Sequence, residues 1–161
     1  MSRQQPTVAE QERLTAMNDL LTAAEALDPR RKVHDLETCW LWLRVIPERY
    51  TRDELLWAVA EHRRTSSEFL EPNHVIALVG QRRRDILSRA GECPYPAELD
   101  GDQERERQFR GAWQDAAIRS AMRGGRVDRQ VAYRAACQIT GVTGVLLDER
   151  QRVRRPRELT G

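Results

Sequence analysis

Apolar residues recur every three or four positions from Leu14 to Leu87, which is the spacing of one face of an α-helix. Thr7 and Glu10 open the first run as a capping box, in which Thr7 accepts the third helical N–H and Glu10 reaches back to the cap. Pro29 ends the run, so a first helix is predicted between Thr7 and Pro29. Its apolar positions are Leu14, Met17, Leu21, Ala24 and Leu27.

A second helix is predicted to begin near His34 or Asp35 and to stop at Pro47. Trp42 lies off the main apolar stripe, so this helix is apolar on more than one side. A helix of this kind is typical of a buried position. We therefore expect it to be the central, most buried helix, with Trp40 in the core. The main stripe is Leu36, Cys39 or Trp40, Leu43 and Ile46.

Two more helices are predicted before residue 91. A second capping box, formed by Thr51 and Glu54, starts the third helix. Pro72 suits the first position of a fourth helix, which runs to about Ala90. Gly91 then provides a C-terminal cap. The inward face of the third helix carries Leu55, Val59 and His62.

The chain changes character at residues 92–101, where two prolines and a glycine indicate a linker. A strongly charged helix is predicted over 102–122, with Phe109 and Trp113 on a narrow apolar face. A glycine pair ends it. A last helix is predicted over 128–139, with an apolar face formed by Val131, Ala135 and Ile139.

No run alternates in the manner of a β-strand, so the predicted fold class is all-α. The sequence divides into a four-helix N-terminal bundle at 1–91, the linker at 92–101 and a weaker helical segment at 102–140. A flexible basic tail is expected at 141–161.

Composition narrows the functional classes. Charged residues make up 32% of the chain, yet the formal net charge is only +2. Lys32 is the single lysine, and the arginine bias is typical either of GC-rich genomes or of proteins that bind carboxylate or phosphate. The three cysteines suggest no disulfide framework, and no apolar run suggests a signal or membrane segment. We expect a cytoplasmic protein.

Catalytic signatures are not found. No glycine-rich loop precedes Lys32, as nucleotide hydrolysis at a phosphate-binding loop would require. Cys39, His62, His74 and Cys93 lack the short spacing of a zinc site. A Cys–His nucleophile pair remains open, against the simpler interpretation of a buried cysteine and a hydrogen-bonded histidine. We expect no metal, no cofactor and no enzymatic activity.

An arginine cluster is the first candidate site. Arg82, Arg83 and Arg84 are consecutive on a predicted helix, so they fan around much of its circumference. Arg83 lies towards the core and is expected to pair or snorkel. The others form either a solvated face or a contact surface for phosphate or an acidic partner. The candidate contact residues are Arg63, Arg64, Arg82, Arg84, Arg89, Arg152, Arg154 and Arg155.

Tryptophans are the second candidate site. Trp42, Trp57 and Trp113 are expected to be partly exposed, and tryptophan is enriched at protein interfaces. Ordinary core packing is the alternative for each of them. These three residues are the candidate partner interface.

The sequence also carries a longer pattern. It comprises CW and a leucine at 39–43, YT, EL, AV and a histidine spread over 50–62, SSEFLEPNHV at 66–75, and RRR at 82–84. This pattern resembles the N-terminal region of phage and prophage replication proteins of the helicase loader-and-inhibitor type. The resemblance covers about residues 10–90 and extends, more weakly, to about residue 123. It implies a folded N-terminal bundle and a C-terminal part, here 124–161, that contacts the replicative helicase.

The function expected from this resemblance is that of a non-enzymatic DNA-replication accessory protein. It would bind a replicative helicase and help to load it on DNA. Two alternatives stay open. One is a DNA-binding or regulatory protein whose arginine-rich surfaces contact phosphates, and the other is a phage protein that inhibits a host machine.

Overall fold

The computed structural model describes residues 7–28, 30 and 33–143. No strand occurs within these ranges, and the all-α prediction is confirmed. The described elements are α1 (Val8–Leu27), α2 (Leu36–Val45), α3 (Arg52–Thr65), α4 (Pro72–Ala90), a 3₁₀ turn (Ala97–Leu99), α5 (Gln103–Gly124) and α6 (Arg129–Thr140).

Side-chain caps fix where the helices begin. Thr7 and Thr51 each accept the N–H of the residue three positions later, and Glu10 and Glu54 each accept the cap N–H at 2.8 Å. Both predicted capping boxes are therefore confirmed. Asp35 caps α2 by accepting the Thr38 N–H at 2.8 Å.

Glycines in the left-handed conformation follow three of the helices: Gly91 after α4, Gly125 after α5 and Gly141 after α6. Gly91 follows α4 with φ 73° and donates its N–H to the Leu87 carbonyl at 3.1 Å. Gly125 follows α5 with φ 70° and donates to the Ala121 carbonyl at 2.9 Å. A residue with a Cβ is strained at such angles, so glycine is the residue that allows the chain to leave each helix there.

The chain forms two compact units, 1–84 and 85–161, and the boundary falls inside α4. This is earlier than the predicted end of the bundle at residue 91. In the first unit, α1 packs against both α2 and α3. Its core is formed mainly by Met17, Leu20, Leu21, Cys39, Trp42, Leu55, Ala58, Val59, Val75 and Val79.

In the second unit, α5 packs along α6. Alanines dominate this contact, and small side chains let two helices approach closely. The Phe109 ring meets the Tyr133 ring edge-on, with centroids 5.7 Å apart. The main core residues are Ala90, Leu99, Phe109, Trp113, Ala116, Ala117, Ala132, Tyr133, Ala136 and Val142.

The predicted linker at 92–101 is packed into the second unit. Leu99 is fully buried in its core, and Tyr95 packs against the same cluster. The Glu92 carbonyl accepts a hydrogen bond from the Arg129 guanidinium at 3.0 Å. The linker prediction missed this packing because proline and glycine mark turns whether or not the turn is buried.

Candidate interaction surfaces

Arg83 belongs to a buried ion pair. Its Nε donates to Glu54 Oε1 at 2.6 Å and its Nη2 donates to Glu54 Oε2 at 3.0 Å. The Arg83 side chain is 12% exposed and that of Glu54 only 1%. Glu54 also accepts from the Thr51 N–H and hydroxyl, so the start of α3 and the middle of α4 share one carboxylate. The expectation that Arg83 pairs at the edge of the core is confirmed.

The Arg82 side chain is less accessible to a partner than the sequence predicted. Its guanidinium lies over the Trp57 ring, 5.2 Å from the centroid, and its Nε is buried. This is the geometry of a cation–π contact, in which the ring face attracts the cation. Trp57, predicted to be partly exposed, is half-buried beneath it.

Arg63 contacts Asp28, the residue that follows α1. Asp28, which is buried, accepts from Arg63 Nη1 at 3.5 Å and from the Arg30 side chain at 2.8 and 2.9 Å. The hydrogen bond from Arg30 is the main reason why the pKa of Asp28 lies far below its usual range. Arg63 thus helps to neutralise a buried carboxylate of its own unit.

The remaining described candidates are exposed. Arg64 makes two hydrogen bonds to Glu61, at 2.6 and 3.0 Å, and these lower the pKa of that carboxyl group. Arg84 bonds to Gln81 at 2.7 Å, and Arg89 is exposed on the last turn of α4. Among the predicted contact residues, Arg152, Arg154 and Arg155, with most of the predicted tail, lie outside the described residues.

The tryptophan predictions are partly wrong. Trp42 and Trp113 were expected to be partly exposed, but both are buried in the cores of their units. Trp40 was expected in the core and is 43% exposed. The face of α2 that packs on α1 is set by Cys39 and Trp42, which turns Trp40 outwards.

The outer face of α2 is the first surface that sequence reasoning missed. This helix was predicted to be the most buried one because it is apolar on two sides. Only one of those sides packs, and the other carries large exposed apolar residues. The signal was present in the two-sided pattern, which was interpreted as burial rather than as a contact face. The exposed residues are Leu36 (61%), Trp40 (43%), Leu41 (54%) and Val45 (54%).

The outer face of α6 is the second surface that sequence reasoning missed. The predicted inward stripe faces outwards: Val131 is 53% exposed, Ile139 65%, and Ala135 is half-buried between them. The buried face of α6 is instead Ala132, Tyr133 and Ala136, which pack against α5. The clue in the sequence is the pair of alanines, since close helix packing selects small side chains.

Cysteine and histidine form no metal-binding cluster in the described part of the chain. No group of three or more potential metal-ligating residues occurs there. Cys39 is buried, and burial raises the pKa of its thiol, which disfavours the reactive thiolate. The rings of His62 and His74 stack with centroids 4.9 Å apart.

Comparison of the chain with protein-family models, with curated proteins and with solved structures gave no match. Within the described residues, no helix has both the length and the apolar character needed to cross a membrane.

Proposed function

We propose that this protein is a non-enzymatic DNA-replication accessory protein that binds a replicative helicase and helps to load it on DNA. The starting point is the resemblance to helicase loaders, which implies a helicase contact within residues 124–161. The observation that supports the proposal is the exposed apolar stripe of α6, formed by Val131, Ala135 and Ile139, which lies in that segment.

The spacing of the stripe suits a protein groove. Positions 131, 135 and 139 follow one another at four-residue intervals, so the stripe spans about 12 Å along one side of the helix. Helices that dock in apolar grooves present anchors at such intervals. Arg134 and Gln138 lie beside the stripe and are exposed, which gives the apolar centre a polar rim.

The buried face of α6 holds the stripe in place. Tyr133 and two alanines fix the helix against α5, and Asp128 caps its first turn by accepting two backbone N–H groups at 3.0 Å. A helix that is already ordered loses little conformational entropy when it docks. The stripe is therefore already ordered before any partner binds.

The phosphate-binding alternative has less support from the described residues. Arg63 and Arg64 are paired with carboxylates, and Arg82 covers an indole ring. Binding phosphate would require these contacts to be replaced.

The test is binding of the full-length chain to the purified replicative helicase of the host, with and without nucleotide, followed by fluorescence anisotropy. The double variant Val131→Glu/Ile139→Lys adds charges to the stripe. Position 131 lies in the first helical turn and position 139 in the last, where these charges suit the helix dipole and α6 should remain folded.

We expect micromolar or tighter binding of the wild type and a loss of at least about tenfold in the variant. Val8→Glu is the matched control, because Val8 is 78% exposed in the first turn of α1 and has no role in the stripe. Absence of a complex in every nucleotide state would refute helicase binding. Binding that the stripe variant leaves unchanged would refute the assignment of α6.

A further inference from the structure

The exposed face of α2 has an internal symmetry. Six residues form this face, and all are exposed: Leu36, Glu37, Trp40, Leu41, Arg44 and Val45. Reversing the order of these six residues exchanges Leu36 with Val45 and Trp40 with Leu41, so apolar positions remain apolar. It also exchanges Glu37 with Arg44, so each charged position receives the opposite charge. Its centre lies midway between Trp40 and Leu41.

Helix geometry places these residues on one side. At 100° per residue, they span about 180° around the axis, with Glu37 and Arg44 near the middle of the arc. Trp40 and Leu41 lie on either side of that midline, close to the centre of the helix. The two charged residues are about 10.5 Å apart along the axis, so they do not pair within the helix.

We propose that this face binds a second copy of the chain, with the two α2 helices packed antiparallel about a two-fold axis. The axis passes midway between Trp40 and Leu41, perpendicular to α2. Trp40 then meets Trp40 of the second copy, and Leu41 meets its own counterpart. Glu37 of each copy lies opposite Arg44 of the other, which gives two ion pairs, while Leu36 and Val45 flank the contact.

Charge complementarity favours a second copy as the occupant. An isologous interface requires each patch to complement itself after a two-fold rotation. Apolar residues satisfy this condition anywhere on the face, but a charged residue satisfies it only when its opposite occupies the related position. Glu37 and Arg44 occupy such positions, and both are exposed. Tryptophan and arginine are also frequent in protein interfaces.

The experiment uses sedimentation equilibrium of the full-length chain over a range of concentrations. We expect the mass to rise from the 18.7 kDa of one chain towards twice that value. Glu37→Arg and Arg44→Glu each place like charges opposite one another at both ends of the interface. Each single variant should weaken dimerisation by about tenfold or more.

Charge reversal supplies the decisive comparison. The double variant Glu37→Arg/Arg44→Glu restores opposite charges and should dimerise like the wild type. An equimolar mixture of the two single variants should form heterodimers for the same reason. Leu41→Glu should remain monomeric, and Val8→Glu, at an exposed position of α1, should dimerise normally. Circular dichroism checks that each variant is folded.

A wild type that stays monomeric up to about 100 µM overturns the proposal, as does a dimer that Leu41→Glu leaves intact. Failure of both the double variant and the mixture to restore dimerisation overturns the antiparallel arrangement. Because α2 and α6 are different elements, these results are independent of helicase binding. A helicase complex formed by a monomer would refute the dimer alone.

Discussion

Replacing Arg83 by methionine removes the guanidinium group that neutralises Glu54. The Glu54 side chain is 1% exposed, so it cannot exchange its lost partner for bulk water without a local rearrangement. Its two hydrogen bonds from Thr51 remain, at 2.8 and 3.0 Å. They satisfy part of the carboxylate but do not neutralise its charge.

Burial determines the expected magnitude. An exposed ion pair contributes about 0–1 kcal/mol, whereas removal of one partner from a buried pair costs about 3–5 kcal/mol. Since the Thr51 donors stay in place, we expect Arg83→Met to lower the free energy of unfolding by about 3 kcal/mol, at the lower end of that range. With a urea m-value of about 2 kcal/mol/M, the midpoint falls by about 1.5 M.

The assay is urea unfolding followed by circular dichroism. Arg84→Met is the matched control, because Arg84 is adjacent, exposed and bonded only to Gln81 among the interactions described above. Its effect should stay within about 0.5 kcal/mol. The double variant Arg83→Met/Glu54→Gln removes both charges and keeps a residue that suits the third position of a capping box, so it should recover most of the lost stability.

Two results would refute this reasoning. A loss below about 1 kcal/mol in Arg83→Met would mean that Glu54 is solvated like a surface carboxylate. A double variant no more stable than Arg83→Met would mean that the loss comes from the other contacts of the arginine, such as its hydrogen bond to the Arg49 carbonyl and its packing, rather than from the uncompensated charge.

Two titrations are expected to alter stability. The hydrogen bond from Arg30 lowers the pKa of Asp28 in the folded protein. The ionised carboxylate therefore stabilises the fold fully above the ordinary aspartate pKa of about 3.9, and this stabilisation is lost as the pH falls towards the folded-state pKa. Asp28→Asn should flatten this acid dependence in urea unfolding from pH 2 to 7. Burial, followed by the nearby Cys137, raises the pKa of Tyr133 to about 12, so stability should fall as the pH rises from about 10 to 12. Absorbance at 295 nm should show a late-titrating tyrosine that is absent in Tyr133→Phe. A normal titration of Tyr133, or an acid limb unchanged in Asp28→Asn, would contradict the respective expectation.

Within the arginine cluster, the position of Arg83 followed from helix geometry. Arg83 lies one turn from Val79 and one turn from Leu87, so its position near the core was evident from spacing alone. Its partner was not, because Glu54 is 29 residues away and already had a local role in a capping box. The contact between Arg82 and Trp57 was missed for the same reason, since it joins side chains from different helices.

The sequence by itself determined the fold class and most helix ends. Thr7, Thr51, Pro72 and Gly91 mark those ends through interactions confined to a few neighbouring residues. Such interactions depend little on the rest of the molecule, so they can be predicted from local sequence.

Only the tertiary structure decided which faces of α2 and α6 are buried. Each helix has apolar residues on more than one side, and periodicity does not choose between two such sides. Shape complementarity made the choice: Cys39 and Trp42 pack in the first unit, and Ala132 and Ala136 allow close approach in the second. The surfaces proposed for partners are the apolar faces that this packing left exposed.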